Sequence, residues 1–178
     1  LYLPDDERLG FVISMTKVPN EKFEEGEGLK IGVRDDCFKP VSMTSDLKTS
    51  NALNYVLAAQ FARSEGWDEL IMLNSYGHIS EAIHSNIFLY KSGKFITPDL
   101  DSGCVNGVMR SYLFSALKDI VEERDVEVKE LQDAEEIILV NAVKGIRWVK
   151  EFNGKTYTNN KAVELTSLLN ESLLSSVG

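Results

Sequence analysis

Ile79-Ser80-Glu81-Ala82-Ile83-His84-Ser85-Asn86-Ile87-Phe88 is the stretch on which the reading of this chain turns, because it puts a carboxylate immediately before an apolar, strand-like run. Upstream lies Lys48-Thr49-Ser50-Asn51, an amine ahead of an amphipathic segment; downstream come Thr97-Pro98 and then Gly107-Val108-Met109-Arg110, a glycine opening another helix-like segment. Together the blocks provide an amine, a carboxylate and a helix start. These are the parts needed to hold an aldehyde that carries a ring nitrogen and a phosphate.

Working outward, the pattern is an alternating α/β one without internal repeats. Phe11-Val12-Ile13-Ser14-Met15 and Leu29-Lys30-Ile31-Gly32-Val33 read as strands, separated by a polar, Gly-punctuated loop from Asn20 to Gly28. Residues 51–64 carry Leu53, Val56, Leu57, Ala59 and Phe61 at mixed three-four spacing, which predicts an amphipathic helix ending at Gly66. Strands are expected at 69–73 and 85–90, with Ser92-Gly93 as a hairpin turn into Lys94-Phe95-Ile96-Thr97. A helix is expected over 108–124, a short strand at Val126–Val128 and a helical turn at 131–134. A continuous apolar strand at 136–140 follows, then a hairpin through Asn153-Gly154-Lys155 and a closing amphipathic helix over 162–175.

Composition removes several rivals. At 178 residues, 43% hydrophobic and 26% charged, the chain can bury a real core as one globular unit. A net charge of -9 argues against wrapping a nucleic-acid backbone, which needs a basic footprint. No apolar run approaches the roughly 20 residues of a membrane span, and the first residues lack a basic signal-peptide start. A cytoplasmic location is expected. Cys37 and Cys104, the two cysteines, form no CxxC pair and have no histidine at zinc-like spacing, so buried free thiols are expected and no metal site. His78 and His84 are the two histidines, and neither carries a triad signature.

The chemistry can be assigned residue by residue. A lysine that condenses with an aldehyde must be able to lose its ammonium proton, and Lys48 stands where polar Thr44-Ser45-Asp46 gives way to an apolar helix. Alone it would be a solvated side chain; the neighbouring blocks give it weight. Glu81, at an element edge, could sit against a pyridine nitrogen and keep it protonated, which makes the ring an electron sink. The turn from Gly103 to Gly107 leads into a helix start, whose N–H groups and dipole suit a phosphate, and Gly107 allows close backbone approach. Asn141, at the end of a strand, could add a side-chain donor to the same phosphate. The implied cofactor is pyridoxal 5'-phosphate.

On these residues the chain resembles the large, C-terminal cofactor domain of the fold type IV, or class IV aminotransferase, pyridoxal phosphate enzymes. That group includes branched-chain and D-amino acid aminotransferases and 4-amino-4-deoxychorismate lyases. The resemblance implies mixed sheets forming a pseudo-barrel with surrounding helices. It also implies that Lys48 is the Schiff-base lysine and proton carrier and that Glu81 pairs with the ring nitrogen. Val105 would lie against the ring face, while the N–H groups of Val108 and Met109, with Asn141, would bind phosphate. Arg110 would brace the turn. By the same resemblance the protein is a homodimer acting on a small amino substrate. Residues 1–10 would be the remnant of an interdomain linker and 11–178 the large domain. The resemblance further implies a smaller N-terminal domain carrying much of the substrate pocket, which is expected to be missing here, so this chain alone is expected to be inactive.

Within the family, Asn51 three residues after Lys48, the run Asn106-Gly107-Val108-Met109-Arg110 and the pair Asn141-Ala142 resemble the lyases. The reaction so implied converts 4-amino-4-deoxychorismate to 4-aminobenzoate and pyruvate, with an aminotransferase acting on branched-chain or D-amino acids as the alternative. The run Ala82-Ile83-His84-Ser85 is bulkier than the small residues usual after the glutamate; His84 could crowd or contact the substrate, but a structural packing role is the expected one. From other classes stand a non-catalytic α/β binding protein, with Lys48 as surface charge, and a hydrolase using Ser80 or Ser85, which lacks a nucleophile elbow.

Overall fold

A computed structural model describes residues 10–16 and 22–175; the linker assignment to residues 1–9 lies outside them. Nine strands and four helices are present among the described residues. Strand β1 (Leu29–Phe38) is followed by helix α1 (Leu53–Glu65), then β2 (Glu69–Leu73), β3 (Ile79–Ala82), β4 (Asn86–Lys91) and β5 (Lys94–Thr97). Helix α2 (Val108–Ala116), β6 (Val121–Glu123), α3 (Lys129–Asp133), β7 (Glu136–Asn141), β8 (Gly145–Phe152), β9 (Lys155–Thr156) and α4 (Asn160–Ser175) complete the order.

All nine strands join one mixed sheet, in the order β3-β2-β1-β8-β7-β4-β5-β6, with β9 on the far end of β8. β1 runs parallel to both β2 and β8, and β5 parallel to β6, while the remaining pairs are antiparallel. The sheet curls, because side chains from seven of its strands meet in one core: Ile31, Ile71, Ile79, Ile87, Ile96, Leu139 and Val149 are all buried together. Its outer face is covered twice. Helices α2 and α4 seal Phe88, Phe95, Ile138 and Ile146 with Met109, Leu113, Leu165 and Leu169, and α1 seals Leu70 and Met72 with Ala58 and Ala62. This is the α/β pseudo-barrel with surrounding helices that the resemblance implies.

Local chemistry explains the element ends. Gly66, at φ 70°, closes α1 in the left-handed conformation, accepting no Cβ penalty. Ser92 and Gly93 adopt φ 50° and 82° between Lys91 and Lys94, the two-residue turn whose twist suits a hairpin. Gly32 has a different reason: a Cβ there would come 2.1 Å from the Trp67 ring, which packs against the α1 cluster. Gly32→Ala is therefore expected to cost about 1–3 kcal/mol through overpacking, read as a lower urea midpoint at unchanged slope. A midpoint equal to that of the parent protein would show that Trp67 moves freely.

Four expectations need correction. Residues 11–15 form no strand; Phe11, Val12, Ile13 and Met15 are exposed, with no neighbouring strand to satisfy their backbone. The helix expected over 108–124 stops at Ala116, and Leu117–Ile120 turns the chain so that Val121–Glu123, not Val126–Val128, pairs with β5. Val126 is buried in the inner core without being a strand residue, which is why its apolar character misled the periodicity. Finally, β3 was not anticipated, because Ile79-Ser80-Glu81-Ala82 is too polar to read as a strand, yet all four residues are buried.

Candidate active site

The segment after β1, helix α1, the start of β4 and the turn before α2 all reach Glu81. The carboxylate is carried by β3, opposite Met72, and is almost wholly buried. Its Oε1 accepts from Lys39 Nζ at 2.8 Å and Tyr55 Oη at 2.5 Å. Its Oε2 accepts from the Val105 backbone N–H at 2.9 Å and Asn86 Nδ2 at 3.3 Å. An ionised carboxylate offers about four lone-pair positions, so Glu81 is fully engaged. Burial and the neighbouring Glu81 both raise the Tyr55 pKa, which keeps the phenol an O–H donor.

The segment leading to Lys48 is folded back by its own hydroxyls and by Lys39. Lys39 Nζ also donates to Ser45 O at 2.9 Å, and Ser45 Oγ accepts from Ser42 N–H at 2.7 Å while donating to Pro40 O at 3.0 Å. The Asn106 N–H donates to Asp46 O at 2.8 Å, which ties this segment to the turn before α2. That turn is itself pinned. Asp99 caps the short 3-10 turn Leu100–Ser102, Cys104 Sγ lies 3.3 Å from Asp99 O, and buried Arg110 donates to Pro98 O and pairs with Glu123. Burial pushes the Cys104 thiol up to about 11, so it stays an S–H donor in neutral solution.

Between these segments lies a cavity of about 380 Å³. Lys48, Lys39, Asn51, Tyr55, His84 and Val105 are on its wall. Lys48 is exposed there, whereas Lys39 is buried. Val108 and Met109 do not line this cavity; they form the first turn of α2, directly after Gly107. Asn141 also stands off it. Its Nδ2 donates to His84 O and Ser85 Oγ, both at 3.0 Å, and its Oδ1 accepts from the Val143 and Lys144 N–H groups. In this arrangement Asn141 holds the loop after β3.

Sequence reasoning missed Lys39, Tyr55 and Asn86. Lys39 follows a strand and precedes Pro40, which gives no sign that its amine folds under the next loop. Asn86 was visible within the quoted block, and its place opposite a glycine turn was not: a Cβ at Gly107 would lie 2.3 Å from Asn86 Oδ1.

The donor set suits pyridoxal phosphate. The cavity falls within the range of small-ligand sites, about 300–1,000 Å³. Lys48 and Val105 are both on its wall, and the Val105 N–H reaches Glu81, an acceptor of the kind a protonated ring nitrogen would need. Glu81, with four donors already, could accept from such a nitrogen only by releasing one of them. Gly107→Ala is expected to push Asn86 off Glu81 and Val105 O, weakening cofactor binding about 10- to 100-fold in a spectrophotometric titration. Unchanged affinity would remove Asn86 from the site's support.

Comparison with known proteins agrees with this chemistry. The family described as amino-transferase class IV matches residues 3–152. A probable branched-chain-amino-acid aminotransferase of Thermotoga maritima is 33% identical over 94% of this chain and 61% of its own length. A similarly described protein of Aquifex aeolicus is 33% identical over 73% of this chain and 43% of its own. The chain thus spans about half of the curated relatives it matches. Among solved structures, a branched-chain aminotransferase from Thermoproteus uzoniensis superposes with TM-score 0.76 at 28% identity, covering 89% of this chain and 55% of that one. A 4-amino-4-deoxychorismate lyase from Pseudomonas aeruginosa gives 0.73 at 27%, covering 82% and 56%. Pyridoxal phosphate is the cofactor that goes with this family. The chain belongs to the class IV aminotransferases.

Proposed function

We propose that the full-length protein transfers an amino group from a branched-chain amino acid to a 2-oxo acid, using pyridoxal phosphate held in the cavity between Lys48 and Val105. The observation that carries this reading is the convergence of the Lys48 segment and the Val105 turn on one cavity, backed by a buried Glu81 with four donors. The description of the relatives as branched-chain aminotransferases supports the substrate class.

When bound, pyridoxal phosphate supplies a carbonyl for the substrate amine and a ring that withdraws electrons from the substrate Cα. The protein's own groups do the rest. Lys48 Nζ, exposed on the cavity wall, takes and returns the Cα proton. Glu81 holds negative charge behind the ring, where its hydrogen bonds prevent it from drifting to water. The Val105 side chain covers one face, and the Val108 and Met109 N–H groups, in the first turn of α2, lack intrahelical partners and face an anion favourably. Asn141 enters this reading by fixing the His84-Ser85 loop or, on giving up those contacts, as a phosphate donor. The same reading makes the working unit a cytoplasmic homodimer; among the described residues no helix is long and apolar enough to cross a membrane.

A second reading is favoured by a specific observation. Asn106-Gly107-Val108-Met109-Arg110 and the spacing of Asn51 from Lys48 resemble the lyases, and a lyase is among the structural neighbours. That reaction would release pyruvate from 4-amino-4-deoxychorismate. The relatives' descriptions weigh toward amino transfer over this lyase reading, which the motifs alone favoured.

The test begins with the full-length protein and added pyridoxal phosphate, fixed with borohydride and mapped by peptide mass. Attachment at Lys48 is expected; attachment at Lys39 would exchange the roles of the two lysines, and none at all would sink the proposal. Leucine with a 2-oxo acid, and separately 4-amino-4-deoxychorismate, then decide between transfer and pyruvate release.

A further inference from the structure

One wall residue of the cavity is unaccounted for by the reading above. His84 follows β3 by two residues and is held twice. Asn141 Nδ2 donates to its backbone carbonyl at 3.0 Å, and its Nδ1 lies 3.0 Å from Glu69 Oε1. Glu69, at the start of β2, is 7% exposed, and its Oε2 has no hydrogen-bond partner. A buried carboxylate with an oxygen left unpartnered is costly unless a positive neighbour compensates it. The ring itself is on the surface of the cavity, 64% exposed, with Nδ1 committed to Glu69 and Nε2 as its remaining polar atom.

The cavity's charge is as informative as the histidine. In a chain of net charge -9, the wall carries Lys39, Lys48 and His84 and no aspartate or glutamate. Lys39 is buried with its amine on Glu81 and Ser45 O, and Lys48 is reserved for proton transfer in the proposed reaction. A concave site of one sign within a molecule of the other concentrates oppositely charged ligands. Of the three basic residues on the wall, His84 is the one that keeps a ring nitrogen, Nε2, exposed and outside the other roles.

We propose that His84, oriented by Glu69, is a specificity-determining residue that binds the carboxylate of the amino substrate through Nε2. The assignment rests on the aminotransferase or lyase reading only for the word substrate; the anion site stands on the geometry. Burial raises the Glu69 pKa, opposed chiefly by the charge of His84 and its hydrogen bond, so the carboxylate is most readily ionised when the imidazole beside it is protonated.

The experiment uses the full-length protein labelled with ¹⁵N-histidine, with His84 assigned by the signal lost in His84→Gln. Acetate and inorganic phosphate are titrated separately. Acetate is expected to shift the His84 ring nitrogens saturably, while His78, paired with Asp125 away from the cavity, stays still. Glu69→Gln is expected to weaken that response while retaining the fold, since the amide replaces a carboxylate of the same shape. In kinetics, His84→Gln is expected to raise KM about 10- to 100-fold for an amine bearing a carboxylate, with kcat little changed, and to leave the matching decarboxylated amine unaffected. A His84 signal indifferent to acetate, or responsive to phosphate alone, overturns the assignment, as does an equal loss for both amines. Failure of attachment at Lys48 sinks the functional reading instead, and the acetate titration is independent of it.

Discussion

Lys39→Met will destabilise the protein by about 3–5 kcal/mol, out of proportion to the loss of one surface-sized side chain. Lys39 and Glu81 have side chains only 9% and 5% exposed, and their 2.8 Å contact is the charge balance of the site. Removing the ammonium leaves a carboxylate in low dielectric with Tyr55, Asn86 and the Val105 N–H as donors but no cation. Those three hydrogen bonds place the cost toward the lower end of the range. The double variant Lys39→Met with Glu81→Leu removes both charges, and it is expected to recover much of the loss. Chemical denaturation of the parent, both single variants and the double variant measures this coupling. A single-variant cost below about 0.5 kcal/mol, the range of ordinary surface changes, would show that the pair is not a buried one in solution.

Lys48→Ala has the opposite profile. Its side chain is exposed on the cavity wall, so stability should change by no more than about 0.5 kcal/mol. Turnover of the full-length enzyme should fall at least about 10³-fold, the middle of the range for a positioned proton carrier. Lys48→Arg is not expected to rescue it, because a guanidinium does not release its proton in this pH range. Measured side by side, the two lysines separate the charge that holds the site from the amine that works in it. A Lys48→Ala enzyme with parental turnover would end that division of roles.

Much of this arrangement was legible in the sequence, for identifiable reasons. Continuous apolar runs at 70–73 and 137–140 became most of β2 and β7 because strands buried on both faces need no alternation. Two-residue turns at Ser92-Gly93 and Asn153-Gly154 fixed their hairpins by positive φ alone. What stayed hidden depends on contacts between segments far apart in sequence. Lys39 and Glu81 are 42 residues apart, and Tyr55 and Glu81 are 26 apart; no local pattern encodes such pairings. The β3 strand was missed for a related cause, since its Ser80 and Glu81 are buried by the site and not by periodicity. His84 was noticed for its bulk, while its partner Glu69 read only as the start of a strand.

The parallel pairing of β1 with β8 has a consequence for synthesis. Leu29 pairs with Val149 and Ile31 with Phe152, so β1 is flanked on one side by a strand made shortly afterwards and on the other by one made near the end. On the ribosome, β1 and β2 would emerge with an unpaired edge of alternating Ile31 and Val33, and the inner core could not close until Phe152 had cleared the exit tunnel. Long-range parallel pairings are slow, and open edges of this kind invite association with other nascent chains. A chaperone that shields the β1 edge during translation should therefore raise the yield of folded protein more than one supplied after the chain is released.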